Sequence, residues 1–240
     1  MAETVFTFLA KGGVTMVPLL GCSVATLAVA LERASFWFPL LRQEAKIVHD
    51  VLDAAHYDLQ KAAEIAKQHE ELPIGRFLYA PLRLRSPSPE TFRLSMETAA
   101  EREFVKMRHG DKILETVVAI GPLLGLLGTV TGLIATFGNL NIGGGGTGES
   151  ASKAAAGIGE ALITTATGMV VAIVALLVLR LSVTLQSRQI DYFSSVGSEL
   201  ELIYRQVWFE PALPDHPVLN ATHHRATSAP SITSSPMDGG

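Results

Sequence analysis

An all-α integral membrane protein with three transmembrane helices is the fold class that this sequence predicts. Two observations carry the prediction. First, only 18% of the 240 residues are charged, against about 25% in a typical soluble domain, and mean hydropathy is +0.31. Second, the charges are missing from particular places. Gly12 to Leu31 and Thr116 to Gly148 carry none, and Ala154 to Leu179 carries only Glu160. A helix crossing a bilayer needs roughly 20 mostly apolar residues, and each gap supplies them. Buried helices of a soluble core suit shorter apolar runs, of about 10–14 residues.

Residues 1–11 hold Glu3 rather than a basic cluster, and the apolar run continues to Leu31. This predicts a retained anchor, spanning residues 12–41 with its interfacial end, rather than a cleaved leader. Cys22, the single cysteine, lies mid-helix and excludes an intrachain disulfide or a cysteine metal cluster. At the end of the span Glu32 and Arg33 are adjacent, and their spacing favours snorkelling to the interface.

Residues 42–113 form a polar connection rich in Ala, Leu, Lys, Glu and Gln, which are good helix formers. "HYD" at 56–58 predicts a boundary between two helices, with Asp58 as N-cap. "LPIG" at 72–75 and "SPSPE" at 86–90 predict breaks, Ser88 capping the next helix and Pro89 entering its first turn. From there to Phe137 nothing except Pro122 forces a stop. One helix of roughly 70 Å is expected, at 1.5 Å per residue, with its membrane part at 114–138.

"GGGGTGES", in the glycine-rich connection 139–153, has the glycine spacing of a phosphate loop. That motif needs a lysine, and Glu149 stands in its place, so the segment reads as an outward-facing loop. The third span, 154–181, continues in a helical pattern through 182–210. The Pro-, Ser- and Thr-rich tail 211–240 is expected to lack order. His223 and His224 read as part of that tail rather than as a metal pair. "NAT" at 220–222 is discounted as a glycan acceptor because the tail is expected in the cytoplasm.

Twelve Lys and Arg residues lie between Arg42 and Lys112, one lies before the first span, and the second connection has none before Lys153. The positive-inside rule places the N-terminus outside and the large loop and tail inside. The net charge of −4 comes with no single-sign patch, so nucleic-acid binding has no support. Enzyme classes fit poorly: H-E-x-x-H is absent, the apolar runs 12–31, 116–148 and 154–179 hold no His and one Glu, and no cofactor or metal fingerprint appears.

Gly121, Gly125, Gly128 and Gly132 step by four, three and four onto one narrow helical face. Small residues so placed let helix backbones approach closely in lipid, and Thr129 and Thr136 flank the stripe. In the third span Ala161, Thr164, Gly168, Ala172 and Ala175 form a comparable stripe, read as headed by Glu160. Two readings fit this carboxylate. An intramembrane acid is a functional hypothesis by default, and beside hydroxyls it makes a fragment of a proton relay. Alternatively it is an acid favoured by the dipole of a helix N-terminus near the interface.

"GPLLGLLGTVTGLIATF" and "GIGEALITTATGMVVAI" together resemble the MotA/TolQ/ExbB proton-channel family, most closely its ExbB branch. "GGVTMVPLLGCSVATLAVALER" and "DLQKAAEIAKQ" are similar to ExbB-like members as well. The resemblance covers most of residues 12–205. It implies a bacterial inner-membrane motor component without a cofactor. Three-span subunits would assemble as a homopentamer around single-span partners of the ExbD or TolR type. Proton flow past the partner's Asp would drive a TonB-like or TolA-like transducer. The family's membrane Glu matches Glu160, and its pore-lining threonines match Thr129 and Thr165, whereas helical geometry alone sets Thr164 beside Glu160. The sequence departs from better-known ExbB members at Val174, Leu179 and Arg180, so a straighter third span is expected. A MotA-type stator is disfavoured because those subunits have four spans. Beside TonB-dependent uptake stand a TolQ-like envelope role and a non-conducting scaffold for single-span partners.

Overall fold

The computed structural model describes residues 15–138 and 148–212. The expectations for the N-terminal residues, for most of the glycine-rich connection and for the tail beyond Ala212 therefore lie outside the described residues. Among the described residues every regular element is helical: α1 (Met16–Tyr57), α2 (Leu59–Gln68), α3 (Pro73–Leu82), α4 (Pro89–Met107), α5 (Asp111–Gly138) and α6 (Gly148–Ile203). A π-helical turn (Tyr204–Phe209) and a 3₁₀ turn (Glu210–Ala212) follow. The chain divides into two compact units, residues 1–45 with 100–193 and residues 46–99 with 194–240.

The first unit contains the apolar helices. Three helical stretches, within Met16–Tyr57, Pro89–Gly138 and Ala154–Ala212, are long and apolar enough to cross a membrane. Only 28%, 22% and 28% of their apolar windows are buried within the chain, so most of the apolar surface is left for lipid or for other subunits. In α1, Met16, Leu19, Cys22, Thr26, Val29, Arg33, Trp37 and Leu40 recur every three or four residues and are buried, while Val17, Val24, Leu27 and Leu31 are exposed. The buried side joins Leu114, Val117 and Ala175 in one core around Cys22 and Val29.

The single helix expected from Pro89 to Phe137 is interrupted. α4 stops at Met107 and α5 starts at Asp111, because Gly110 takes φ +86°, which no right-handed helix accommodates. A side chain there would also strike Val29, with Cβ 2.8 Å from its Cγ1. The carbonyl freed at Met107 accepts bonds from Arg33 Nη1 at 2.9 Å and Gln186 Nε2 at 3.0 Å. Gln186 Nε2 also donates to Asp111 Oδ2 at 2.8 Å. Arg33 is thus buried at this break and does not snorkel, although it also pairs with the adjacent Glu32 at 3.0 Å. Pro122, the one residue in this stretch able to force a stop, lies inside α5, as the expectation of a helix running through it required. Its cost falls on the local ladder alone, and membrane helices tolerate it where neighbours cover the backbone.

α6 runs without interruption to Ile203, in keeping with Val174 and with the helical pattern continuing beyond the span. It begins at Gly148, so helix takes in the last residues of the segment read as loop.

In the second unit Asp58 caps α2, accepting from Gln60 N at 2.8 Å and Lys61 N at 3.2 Å. Ser88 Oγ accepts from Thr91 N at 3.2 Å and caps α4, and Pro89 opens it. The break expected at 72–75 falls slightly earlier. α2 ends at Gln68, and Pro73 already occupies the first turn of α3, where a missing N–H leaves no bond unmade. Phe92, Phe77, Leu78, Val51, Ala55 and Leu200 form the buried interior.

Candidate functional site

The glycine face of α5 meets the small-residue face of α6. A Cβ added to Gly121 would lie 3.2 Å from Ala172 Cβ, one on Gly125 3.0 Å from Thr165 Cα, and one on Gly132 2.8 Å from Ala161 Cβ. At Gly128 it would strike the Thr164 side chain, and at Gly168 it would lie 2.6 Å from Gly121 O. Residue numbers rise along α5 as they fall along α6, so the two helices are antiparallel. At these separations the helices approach closely, and a side chain added at Gly128 or Gly132 would force a neighbour to shift.

Two hydroxyls sit in this seam and act differently. Thr165 Oγ1 donates to Gly125 O at 2.8 Å, tying α6 to α5. Thr164 is 1% exposed, and its hydroxyl turns back to Glu160 O at 3.2 Å, the backbone oxygen rather than the carboxylate. Thr129 is half-buried and donates to Leu126 O at 2.7 Å. Thr136 donates to Gly132 O at 2.8 Å. Each hydroxyl donates its proton to a carbonyl, and those of Thr165, Thr129 and Thr136 keep an oxygen able to accept.

Glu160 is exposed on the chain. The packed stripe, which Gly157 extends one turn earlier against Thr136, contains not Glu160 but Ala161, which is 4% exposed and meets Gly132. Glu160 precedes it by one residue, about 100° around the helix, and points off the seam. On the same flank, at helical spacing, lie Thr167, half-buried, and Val174, exposed and apolar. The structure therefore brings together Thr164, Thr165 and the five glycines. It sets Glu160 beside that seam, facing outward.

Polar groups that the sequence reading missed gather farther along the same unit. Ser182, Gln186 and Gln189 continue the buried face of α6 at steps of four and three, and that stepping was the available signal. Gln189 Nε2 donates to Glu44 Oε2 at 2.8 Å. Glu44 follows the first span, and burial pushes its carboxyl above the usual range, the bond to Gln189 opposing part of that rise.

Comparison with known proteins matches the same residues. The model of the MotA/TolQ/ExbB proton channel family matches residues 69–195. The biopolymer transport protein ExbB-like 1 of Synechocystis sp. is 66% identical over 204 residues, covering 85% of this chain and 80% of the relative. The ExbB-like 3 protein of the same organism is 35% identical over 200 residues, 83% of this chain and 95% of the relative. The Tol-Pal system protein TolQ of Haemophilus influenzae is 32% identical over 115 residues, 48% of this chain and 49% of TolQ. Three helices able to cross a membrane, a glycine-packed pair among them and a family match over half the chain lead to one assignment: this is a multi-pass membrane protein that belongs to the MotA/TolQ/ExbB proton channel family.

Proposed function

We propose that this chain is an ExbB-like proton-channel subunit of a bacterial inner-membrane motor, which uses the proton-motive force to energise TonB-dependent transport across the outer membrane. Five copies surround single-span ExbD-type partners, and a TonB-like transducer passes the motion on. The outward position of Glu160 carries this reading. A carboxylate on the exposed flank of an otherwise apolar span is costly against lipid. That flank is therefore covered by another subunit or lines a watered pore. Thr165 and Thr129 present hydroxyl oxygens as acceptors along the proton path, and Thr164 holds the backbone beneath Glu160. Gly121, Gly125, Gly128, Gly132 and Gly168 hold α5 against α6 so that the path keeps its shape.

The test is Glu160→Gln in proteoliposomes reconstituted with the single-span partner. Proton flux, read by a lumenal pH dye, is expected to fall to background while the assembly keeps its size. Undiminished flux in that variant would overturn the relay and leave a scaffold. A TolQ-like role in envelope maintenance is the second reading, supported by the similarity to TolQ. The ExbB-like relatives match much more of the chain, which favours the first.

A further inference from the structure

The second unit contains an open cleft of about 780 Å³, within the size range of small-ligand sites. Its lining comes from α2, from the α3 end and the loop after it, from Phe92, and from the turns that end the described chain. The lining residues lie outside the apolar runs 12–31, 116–148 and 154–179, so the cleft is accessible from water.

Three features converge there. The first is charge. Lys67, Arg83 and Arg85 line the cleft with Glu64 as the acidic counterpart, a surplus of two positive charges. Among the described residues these three cations have no ion-pair partner. Arginine forks suit phosphate oxygens in particular.

The second feature is a fixed aromatic wall. Tyr204 and Phe92 stack with centroids 4.3 Å apart and planes 4° from parallel. The Tyr204 hydroxyl donates to Pro87 O at 2.6 Å, and Trp208 Nε1 donates to Ala55 O at 2.8 Å. With those polar atoms already bonded, the rings are held and the cleft receives flat apolar surface from Trp208, Phe209 and Tyr79.

The third is backbone geometry. The π-helical turn at Tyr204–Phe209 puts Tyr204, Trp208 and Phe209 on one side, and such turns are frequent at functional sites. Across the cleft Ser86 holds φ +46° without being glycine, a strained conformation in the loop that carries Arg83 and Arg85.

From these we infer that the cleft binds a soluble phosphorylated ligand with a flat ring, of the nucleoside-phosphate class. The ring lies against the aromatic wall and the phosphates lie on Lys67, Arg83 and Arg85. Stacking on aromatic side chains is tolerant of base identity, so purine triphosphates are suitable probes. The cleft holds no glycine loop around phosphates, and the inference is one of binding alone.

The experiment titrates ATP and GTP into the full chain in an uncharged detergent. Equilibrium dialysis uses the unaltered chain, and fluorescence quenching uses Trp37→Phe, which leaves Trp208 as the sole tryptophan. Saturable binding with a midpoint below about 1 mM is expected. Arg83→Glu with Arg85→Glu is expected to raise the midpoint by about tenfold or more. Arg102→Glu, an exposed cation elsewhere, is expected to leave it unchanged. Inorganic triphosphate is expected to compete at least about tenfold more weakly than ATP, because it has no ring to stack. Absence of saturable dialysis binding, an unchanged midpoint in the double arginine variant, or triphosphate competing as well as ATP each overturns the inference.

Discussion

One residue separates Glu160 from Ala161, and about 100° of helix turn separates their surroundings. The steps Ala161, Thr164, Gly168, Ala172 and Ala175 already contain the buried face, so the outward direction of Glu160 was implicit in the spacing that defined the stripe. The difference between Thr164 and Thr165 was not implicit. Both flank the seam, and only the cross-helix approach at Gly125 decides which hydroxyl reaches it. Thr165→Val keeps the shape and removes that bond. Interhelical bonds in lipid average about 0.6 kcal/mol and reach about 1.7, so a loss of about 1 kcal/mol in detergent unfolding is expected, with Thr165→Ser close to the parent protein. Arg33 escaped the sequence reading for a related reason, since its acceptor, the Met107 carbonyl, is distant in sequence and exists only because the helix breaks there. Glu44 yields a prediction in pH. Its folded-state carboxyl titrates above the ordinary value of 4.5, so the folded state holds the proton more tightly than the unfolded chain does. Its contribution is most favourable below that ordinary value and declines as pH rises through the raised one. Glu44→Gln is therefore expected to flatten the pH dependence of thermal unfolding from pH 4 to 7. At pH 7 it should be at least as stable as the parent; a less stable variant there would contradict the desolvation argument.

Helix existence was legible from composition and apolar run length, and the capped starts at Asp58 and Ser88 were legible from side chains that bond locally. The break at 108–110 was not. Gly110 is a weak signal inside a strong helical pattern, and its left-handed conformation is fixed by contacts that lie elsewhere in the chain. Val29 occupies the space a side chain would need, while Arg33 and Gln186 satisfy the carbonyl that the break exposes. Pro122 does not stop the helix, as expected, since a proline costs a helix one ladder bond and a local kink, which packing on both sides can absorb. The pairing of α5 with α6 makes its own prediction. At Gly125 the nearest atoms are Thr165 Cα at 3.0 Å and Thr165 O at 3.2 Å, which are backbone and cannot rotate aside. Gly125→Leu is expected to force the two helices apart. The readout is a lower melting temperature, with smaller particles after detergent extraction. Gly138→Leu, at a glycine with open space around its Cβ, is expected to leave both unchanged.

Charge placement along the whole chain makes a claim about orientation that no local contact carries. Twelve Lys and Arg residues lie between Arg42 and Lys112, while the connection between the second and third apolar stretches has none before Lys153. Because Lys and Arg near span ends set orientation, we propose that the two segments lie on opposite sides of the bilayer, with the basic one in the cytoplasm. In that orientation the cleft carrying Lys67, Arg83 and Arg85 would face the compartment where nucleoside phosphates are abundant, and residues before the first span would face the other side. The natural sequence suits a labelling test, since Cys22 is its only cysteine and is buried, giving a silent background. A membrane-impermeant maleimide applied to spheroplasts is expected to label Thr4→Cys at once. It is expected to label Arg83→Cys only after permeabilisation. Both variants labelled before permeabilisation, or the reverse order, would invert the orientation. An inverted chain would also place the basic cleft on the outer side, separating it from its ligand while leaving Glu160 at the same helical position.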